Sequence, residues 1–287
     1  MNISPRSRYF LLFSLALFVV MSGSLRAVIA YAMDTTNTHA SQIILVPFVT
    51  AGLIFRNRQN IFWRVSYSAL PGAVLMALGG VLLVAGLTIG VGMETGNYLA
   101  VMASATVVLW LGGFLLFYGT EAFKTAMFPL LFLVFFIPIP IPLLNKVIDV
   151  LQRGSADMSF IILKLSGTPI LREGFVFKLP NISIEVAPEC SGIRSGISIF
   201  ISSLLAGHLF LRSYWARIAL VLIAVPVLIF KNALRIGTLS YLATHFDPRI
   251  LTSELHREGG IPFFVLGLLL LYPVLAILMK SESKIGG

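Results

Sequence analysis

The chain has one cysteine, Cys190, in the stretch Ala187-Pro188-Glu189-Cys190-Ser191-Gly192-Ile193-Arg194-Ser195. An apolar run begins there, which predicts that the thiol occupies the first turn of a helix. Backbone N–H groups and the positive end of the helix dipole favour a thiolate at that position, and a nearby cation favours it further. Arg194 follows four residues later on the same helix face, placed to support the thiolate or to orient a carboxylate such as Glu189. Arg235 lies in Phe230-Lys231-Asn232-Ala233-Leu234-Arg235-Ile236-Gly237, inside another apolar run. A guanidinium in hydrocarbon costs about 3 kcal/mol even on the lenient insertion scale, so it faces a bundle interior. Asn232 shares its face at i, i+3. Such a fixed guanidinium stabilises a thiolate or the oxyanion of an acyl-transfer intermediate. His256, just ahead of the last apolar run, is suited to protonate a leaving amine. A cysteine, a base and an oxyanion partner are the minimum set for acyl transfer through a thioester.

Each residue alone has a plainer reading. A lone cysteine packs as a small hydrophobe, an arginine snorkels, and a loop histidine is solvated. His245 competes with His256 on the same loop, His208 falls toward the far end of its run, and His39 sits in a different loop. Lys231 reads as structural. What raises the catalytic reading is that three reactive side chains from separate segments fall at one depth on one side.

The elements that must position them are membrane helices. Of the 287 residues 57% are hydrophobic and 11% charged, with a mean hydropathy of +0.94. No soluble domain of this size covers so much apolar surface. A span needs about 20 apolar residues. The qualifying runs are 9–30, 41–55, 70–93, 97–118, 127–144, 190–211, 218–242 and 261–279. The second run is short and the fifth ends in the proline-rich stretch 137–142, so the fold class is an all-α polytopic membrane protein with about eight transmembrane helices, or seven. Ala30-Tyr31-Ala32 resembles a signal-peptidase site, but the preceding apolar run is long for a signal core, so an uncleaved first span is expected.

The net charge of +9 is topological and does not predict a nucleic-acid partner. Arg6, Arg8, Arg56, Arg58, Arg64, Lys124, Arg212, Arg217, Lys280 and Lys284 fall in alternate loops. The positive-inside rule then puts both termini in the cytoplasm of a cell-membrane protein and Cys190 at the outer face. One cysteine rules out an internal disulfide. No spacing suggests a metal site, and no phosphate-binding loop suggests a cofactor.

Residues 1–287 read as a single membrane domain, with an extracytoplasmic cap at 145–189. In the cap, apolar residues from Asn145 to about Leu165 recur at helical spacing, predicting an amphipathic helix on the membrane surface. Gly167-Thr168-Pro169 ends it. Leu171–Pro180 and Ile182–Val186 read as a short β-hairpin before the sixth span. Phe175, Val176 and Phe177 suit a cap that closes over the site or grips a substrate, and equally plain packing.

With these motifs assembled, the chain resembles the exosortase/archaeosortase family of membrane transpeptidases. The resemblance rests on Glu189-Cys190-Ser191-Gly192-Ile193-Arg194-Ser195, on Asn232-Ala233-Leu234-Arg235-Ile236, and on His256 followed by Gly259 and Gly260. It implies a catalytic set of Cys190, Arg235 and His256, with Glu189, Ser191, Arg194 and Asn232 binding substrate or supporting. It implies as partners secreted proteins bearing a C-terminal sorting signal: a short Pro-containing motif, one transmembrane helix and a basic tail. The acceptor is left open, lipid- or polysaccharide-linked acceptors being among the options, and membrane lipids surround the bundle. A different class remains: a transporter or lipid-binding protein in which Arg194, Lys231 and Arg235 hold an anion. A serine protease using Ser191 or Ser195 ranks last, lacking a histidine at helical spacing.

Overall fold

The computed structural model describes residues 4–34, 37–180, 182–252 and 260–285. The protein is an all-α polytopic membrane protein carrying one small sheet. Among the described residues, six helices are long and apolar enough to cross a membrane, or up to eight spans if each of two bent pairs counts as one. Helices α1 (Pro5–Val20) and α2 (Ser22–Met33) form the first pair, bent by 70°. Ser22-Gly23-Ser24 follows the break, and clusters of glycine and serine are where helices kink; the expected span 9–30 is therefore two helices. The fifth expected span, 127–144, breaks likewise. Pro138 and Pro140 remove backbone donors and push their predecessors out of helical geometry. Helix α7 (Met127–Phe132) runs into a 3-10 turn, Leu133–Phe136, and a new helix starts at Ile141 rather than Asn145.

By contacts the chain divides into two compact units, Met1–Leu143 and Leu144–Gly287. In the first, a 3-10 stretch (Thr38–Leu45) leads into α3 (Val46–Arg56), and the short α4 (Arg58–Ile61) precedes a long hairpin of α5 (Ala69–Ile89) and α6 (Thr95–Thr125). Gly72, Gly79 and Gly86 recur every seventh residue of α5 and face Leu116, Leu109 and Met102 of α6, themselves seven apart. A Cβ on Gly79 would stand 2.7 Å from Leu109 Cγ and 2.9 Å from its backbone nitrogen. In lipid, where burial of apolar surface drives little, such close backbone approach is what holds helices together. Helix α6 bends at Gly119 (φ +87°), where the extended chain beside it is bonded by Ser66 N–H to Tyr118 O (3.3 Å) and Ser68 N–H to Leu116 O (3.2 Å). On the other side, Phe10 of α1 packs among Trp110, Phe114, Phe117 and Tyr118.

The second unit contains α8 (Ile141–Leu165, apart from its first residues), α9 (Ile193–Phe210), α10 (Tyr214–His245) and α11 (Gly260–Ile285). Ile199, Leu220, Ala224, Leu228 and Leu271 form the core of α9, α10 and α11. Glu282 closes the α9–α10 loop, its two oxygens accepting the Arg212 and Ser213 N–H groups at 2.9 and 2.7 Å. Helix α8 is amphipathic as expected. It comes close to α10 where a Cβ on Gly154 would be 3.0 Å from Ile229 and one on Gly237 3.1 Å from Ile162.

The sheet differs from the expected hairpin. It is a three-stranded antiparallel meander in the order β1 (Leu171–Glu173), β2 (Val176–Lys178), β3 (Ser183–Glu185). Gly174 takes φ +62°, a conformation glycine adopts without strain, and so turns the expected long strand 171–180 back on itself. An Arg172–Asp157 ion pair at 2.7 Å ties β1 to α8, and Phe177 of β2 is fully buried with Ala156, Leu163, Val186 and Ile236.

The glycine seam yields a paired expectation. Gly79→Leu destabilises the protein by about 1–3 kcal/mol, the usual cost of overpacking, and lowers its melting temperature in detergent. Gly80→Leu, where an added Cβ meets nothing within 4 Å, leaves the melting temperature within error.

Candidate functional site

The chain leaves β3 through Val186 and Ala187 and enters a 3-10 turn, Pro188–Ser191, that carries Cys190. Gly192 follows in the left-handed conformation (φ +78°), and only then does α9 begin at Ile193. Cys190 is therefore in a tight turn ahead of the helix, not in its first helical turn. Pro188 and Gly192 explain the difference: a proline favours the turn's first position, and a left-handed residue cannot continue a helix. The Cys190 N–H donates to Ala187 O at 2.8 Å. The helical i, i+4 relation expected of Arg194 is thus broken. Arg194 and Glu189 are both exposed, and the structure does not bring Arg194 to the thiol.

One side chain ties this turn to the rest of the unit. Asn232, only 1% exposed, donates from Nδ2 to the Cys190 carbonyl (2.8 Å) and to Ser155 Oγ of α8 (3.0 Å). Its Cγ and Oδ1 would lie 2.7 Å from any Cβ on Gly192, so Gly192 is required for space as well as for φ. One residue earlier on α10, the buried Lys231 donates from Nζ to Ser195 Oγ, and the Ser195 hydroxyl donates to the Gly192 carbonyl at 3.2 Å. Two consecutive α10 residues thus secure both sides of the glycine turn. Gln152 of α8 adds a third tie, donating to Val186 O at 2.6 Å. Ser159 Oγ lies 2.6 Å from Ser155 O and 3.2 Å from Ala233 O.

The turn and α10 enclose a narrow cavity of about 40 Å³ lined by Ile184, Glu185, Val186, Cys190, Arg235, Ile236, Leu239 and Ser240. Thiol and guanidinium thus share one small, largely apolar chamber. Arg235 reaches it because residues 231, 232, 235, 236, 239 and 240 form a single stripe of α10. The low dielectric of such a chamber strengthens attraction between a guanidinium and a developing negative charge. Ser191, 2% exposed, has its Oγ without a hydrogen-bond partner among the described residues, as does the Oδ1 of Asn232.

Of the histidines, His256 lies outside the described residues. His245 is exposed and stacks on Tyr241 at 4.3 Å. Its ten-residue separation from Arg235 along α10 amounts to a rise of about 15 Å, too far to share the cavity. His39 pairs with Tyr31 through a 3.2 Å hydrogen bond in the first unit.

Sequence reasoning selected Cys190, Arg235 and Asn232, which the structure assembles. It missed Gln152, Ser155 and Ser159, whose signal was present: polar residues at three- and four-residue spacing on the otherwise apolar face of α8. It set Lys231 aside as structural, a role its bond to Ser195 fits.

A family model described as Transmembrane exosortase matches residues 34–273. No curated protein matches the chain. No solved structure matches it.

The glycine turn supplies the test of this arrangement. Gly192→Ala, strained in φ and colliding with Asn232, lowers the melting temperature in detergent and changes the rate at which Cys190 reacts with a maleimide. Gly196→Ala, whose Cβ would meet nothing nearer than 3.7 Å, leaves both measurements at the wild-type value.

Proposed function

The chain belongs to the transmembrane exosortase family, and from that premise we propose that it is a cysteine transpeptidase acting on the C-terminal sorting signals of secreted proteins. The observation that carries this reading is the cavity in which Cys190 and Arg235 meet. With eight spans, the positive-inside pattern supports a cavity at the outer face of the cell membrane, where exported substrates emerge.

The substrate's C-terminal helix docks in the bilayer and presents its Pro-containing motif to the cavity. The Cys190 thiolate attacks the scissile carbonyl carbon, and Arg235 stabilises the oxyanion that develops. As the C–N bond breaks, His256 gives a proton to the departing amine, and the secreted protein remains as a thioester on Cys190. An acceptor amine, another nucleophile or water then attacks the thioester, gives its proton to the now neutral His256, breaks the C–S bond and restores the thiolate. Asn232 holds the Cys190 carbonyl and so fixes the direction of the thiol without touching substrate. Glu189, Ser191 and Arg194 are the remaining candidates for substrate contact, Ser191 by its buried, unpartnered hydroxyl.

The Lys231–Ser195 hydrogen bond favours a second reading, since serine–lysine pairs occur as catalytic dyads. Against it, Ser195 does not line the cavity and its hydroxyl is already committed to the Gly192 carbonyl. A transporter reading makes Cys190 dispensable.

The deciding experiment co-expresses the protein with a reporter: a secreted domain fused to the C-terminal tail of a secreted protein from the same genome. That tail carries a Pro-containing motif, one transmembrane helix and basic residues. Cys190→Ala abolishes cleavage. Arg235→Ala lowers the cleavage rate on the order of 10²–10³-fold, and His256→Ala lowers it on the order of 10²–10⁴-fold. Ser195→Ala keeps cleavage Cys190-dependent. Normal processing by Cys190→Ala sinks the proposal, and loss confined to Ser195→Ala and Lys231→Met moves the nucleophile to the serine.

A further inference from the structure

We propose that the outer edge of β3 is the docking strand for the substrate, the extended segment preceding the cleaved bond adding to the sheet main chain to main chain. This rests on the transpeptidase reading above and extends it to how the peptide is held.

Strand β3 pairs with β2 through Val176↔Glu185, Phe177↔Ile184 and Lys178↔Ser183. Flanking bonds run from Leu179 N–H to Ile182 O and from Val186 N–H to Phe175 O, both 2.9 Å. They place residues 182, 184 and 186 with their backbone groups turned into the sheet. In antiparallel pairing the N–H and C=O of one residue point the same way and alternate along the strand. The backbone groups of Ser183 and Glu185 therefore point to the other edge. Among the described residues no strand pairs with that edge, β3 being last in the order β1-β2-β3.

The same edge leads to the reactive thiol. Ile184, Glu185 and Val186 form a wall of the cavity that holds Cys190 and Arg235, and Cys190 follows Glu185 by five residues. A peptide bonded to Ser183 and Glu185 runs along that wall. Its alternate side chains face the apolar lining of Ile184, Ile236 and Leu239.

The occupant is a peptide rather than a second copy of the chain. Exposed edges invite strand addition, but two outward residues offer too few bonds for a stable shared sheet, while suiting a segment that must leave after reaction. Strand addition recognises main chain whatever the side chains, and it accepts a proline where the missing N–H would face away from the edge.

The test uses the full-length protein with the reporter described above. Glu185→Pro and Ser183→Pro remove the outward N–H groups while leaving those that bond β2. Proline is tolerated at a strand edge. Each proline variant is expected to cleave about tenfold more slowly than the alanine variant at the same position, the worth of about one hydrogen bond. Maleimide labelling of Cys190 shows that the turn is intact. Equal rates for proline and alanine variants, with cleavage still dependent on Cys190, overturn the docking strand alone. Cleavage independent of Cys190 sinks the transpeptidase reading and the docking strand with it.

A second measurement does not depend on proline being accommodated. In Cys190→Ala, which binds without turnover, a photo-crosslinking amino acid at position 183 is expected to capture the reporter's tail, and one at the exposed position 171 on β1, the opposite edge strand, is not. Absence of capture at 183, or equal capture at both, overturns the proposal.

Discussion

The two hydrogen bonds donated by the Asn232 amide, to the Cys190 carbonyl and to Ser155 Oγ, join three segments in the buried interior of the second unit. Each is worth only about 1 kcal/mol, but the alternative is a buried amide with nothing to bond, which costs more than the bonds return. This asymmetry makes the arrangement specific. The Asn232 Nδ2 finds both its acceptors with the Cys190 turn in this place, and Gly192 is the residue that lets the turn come that close. Lys231 acts in parallel through Ser195, its ammonium meeting a hydroxyl rather than a carboxylate.

Charge placement follows from the same helix. Lys231 and Arg235 are one turn apart on α10, and Asn232 lies between them on the same stripe. Lys231 is buried, and Arg235 lines a small, largely apolar cavity together with Cys190 and Glu185. A developing oxyanion gains most from fixed donors in such surroundings. Arg194 is exposed and does not line that cavity. The broken helix start leaves the thiol in a turn beside α10 rather than on a face of its own helix.

Small residues do comparable work in both units. Gly72, Gly79 and Gly86 bring α5 against α6, while Gly154 and Gly237 bring α8 and α10 together. Lipid supplies no hydrophobic drive between helices, so contact depends on close approach and on bonds such as Ser159 to Ala233 O and Asn232 to Ser155 between α8 and α10. The meander then hangs on α8 through the Arg172–Asp157 pair and the buried Phe177, which sets where β3 ends and where the turn bearing Cys190 begins.

Hydropathy and charge alone determined that the chain is a polytopic helical membrane protein, because span length and the cost of burying charge are properties of local composition. The residue types around Cys190 and Arg235 likewise raised the catalytic reading, since an intramembrane guanidinium is costly to bury. The tertiary structure decided what depends on distance between remote segments. Ser155 and Asn232 are 77 residues apart, Cys190 and Asn232 are 42 apart, and no spacing rule pairs them. It also decided local geometry where several weak preferences compete. Pro188 and Gly192 won over the apolar run that predicted a helix from Cys190, Gly174 made two strands from one, and Ser22-Gly23-Ser24 with the prolines after Ile137 broke two spans that hydropathy drew as continuous. Hydropathy sums over a window and is blind to a single residue's backbone preference; those single residues aim the thiol.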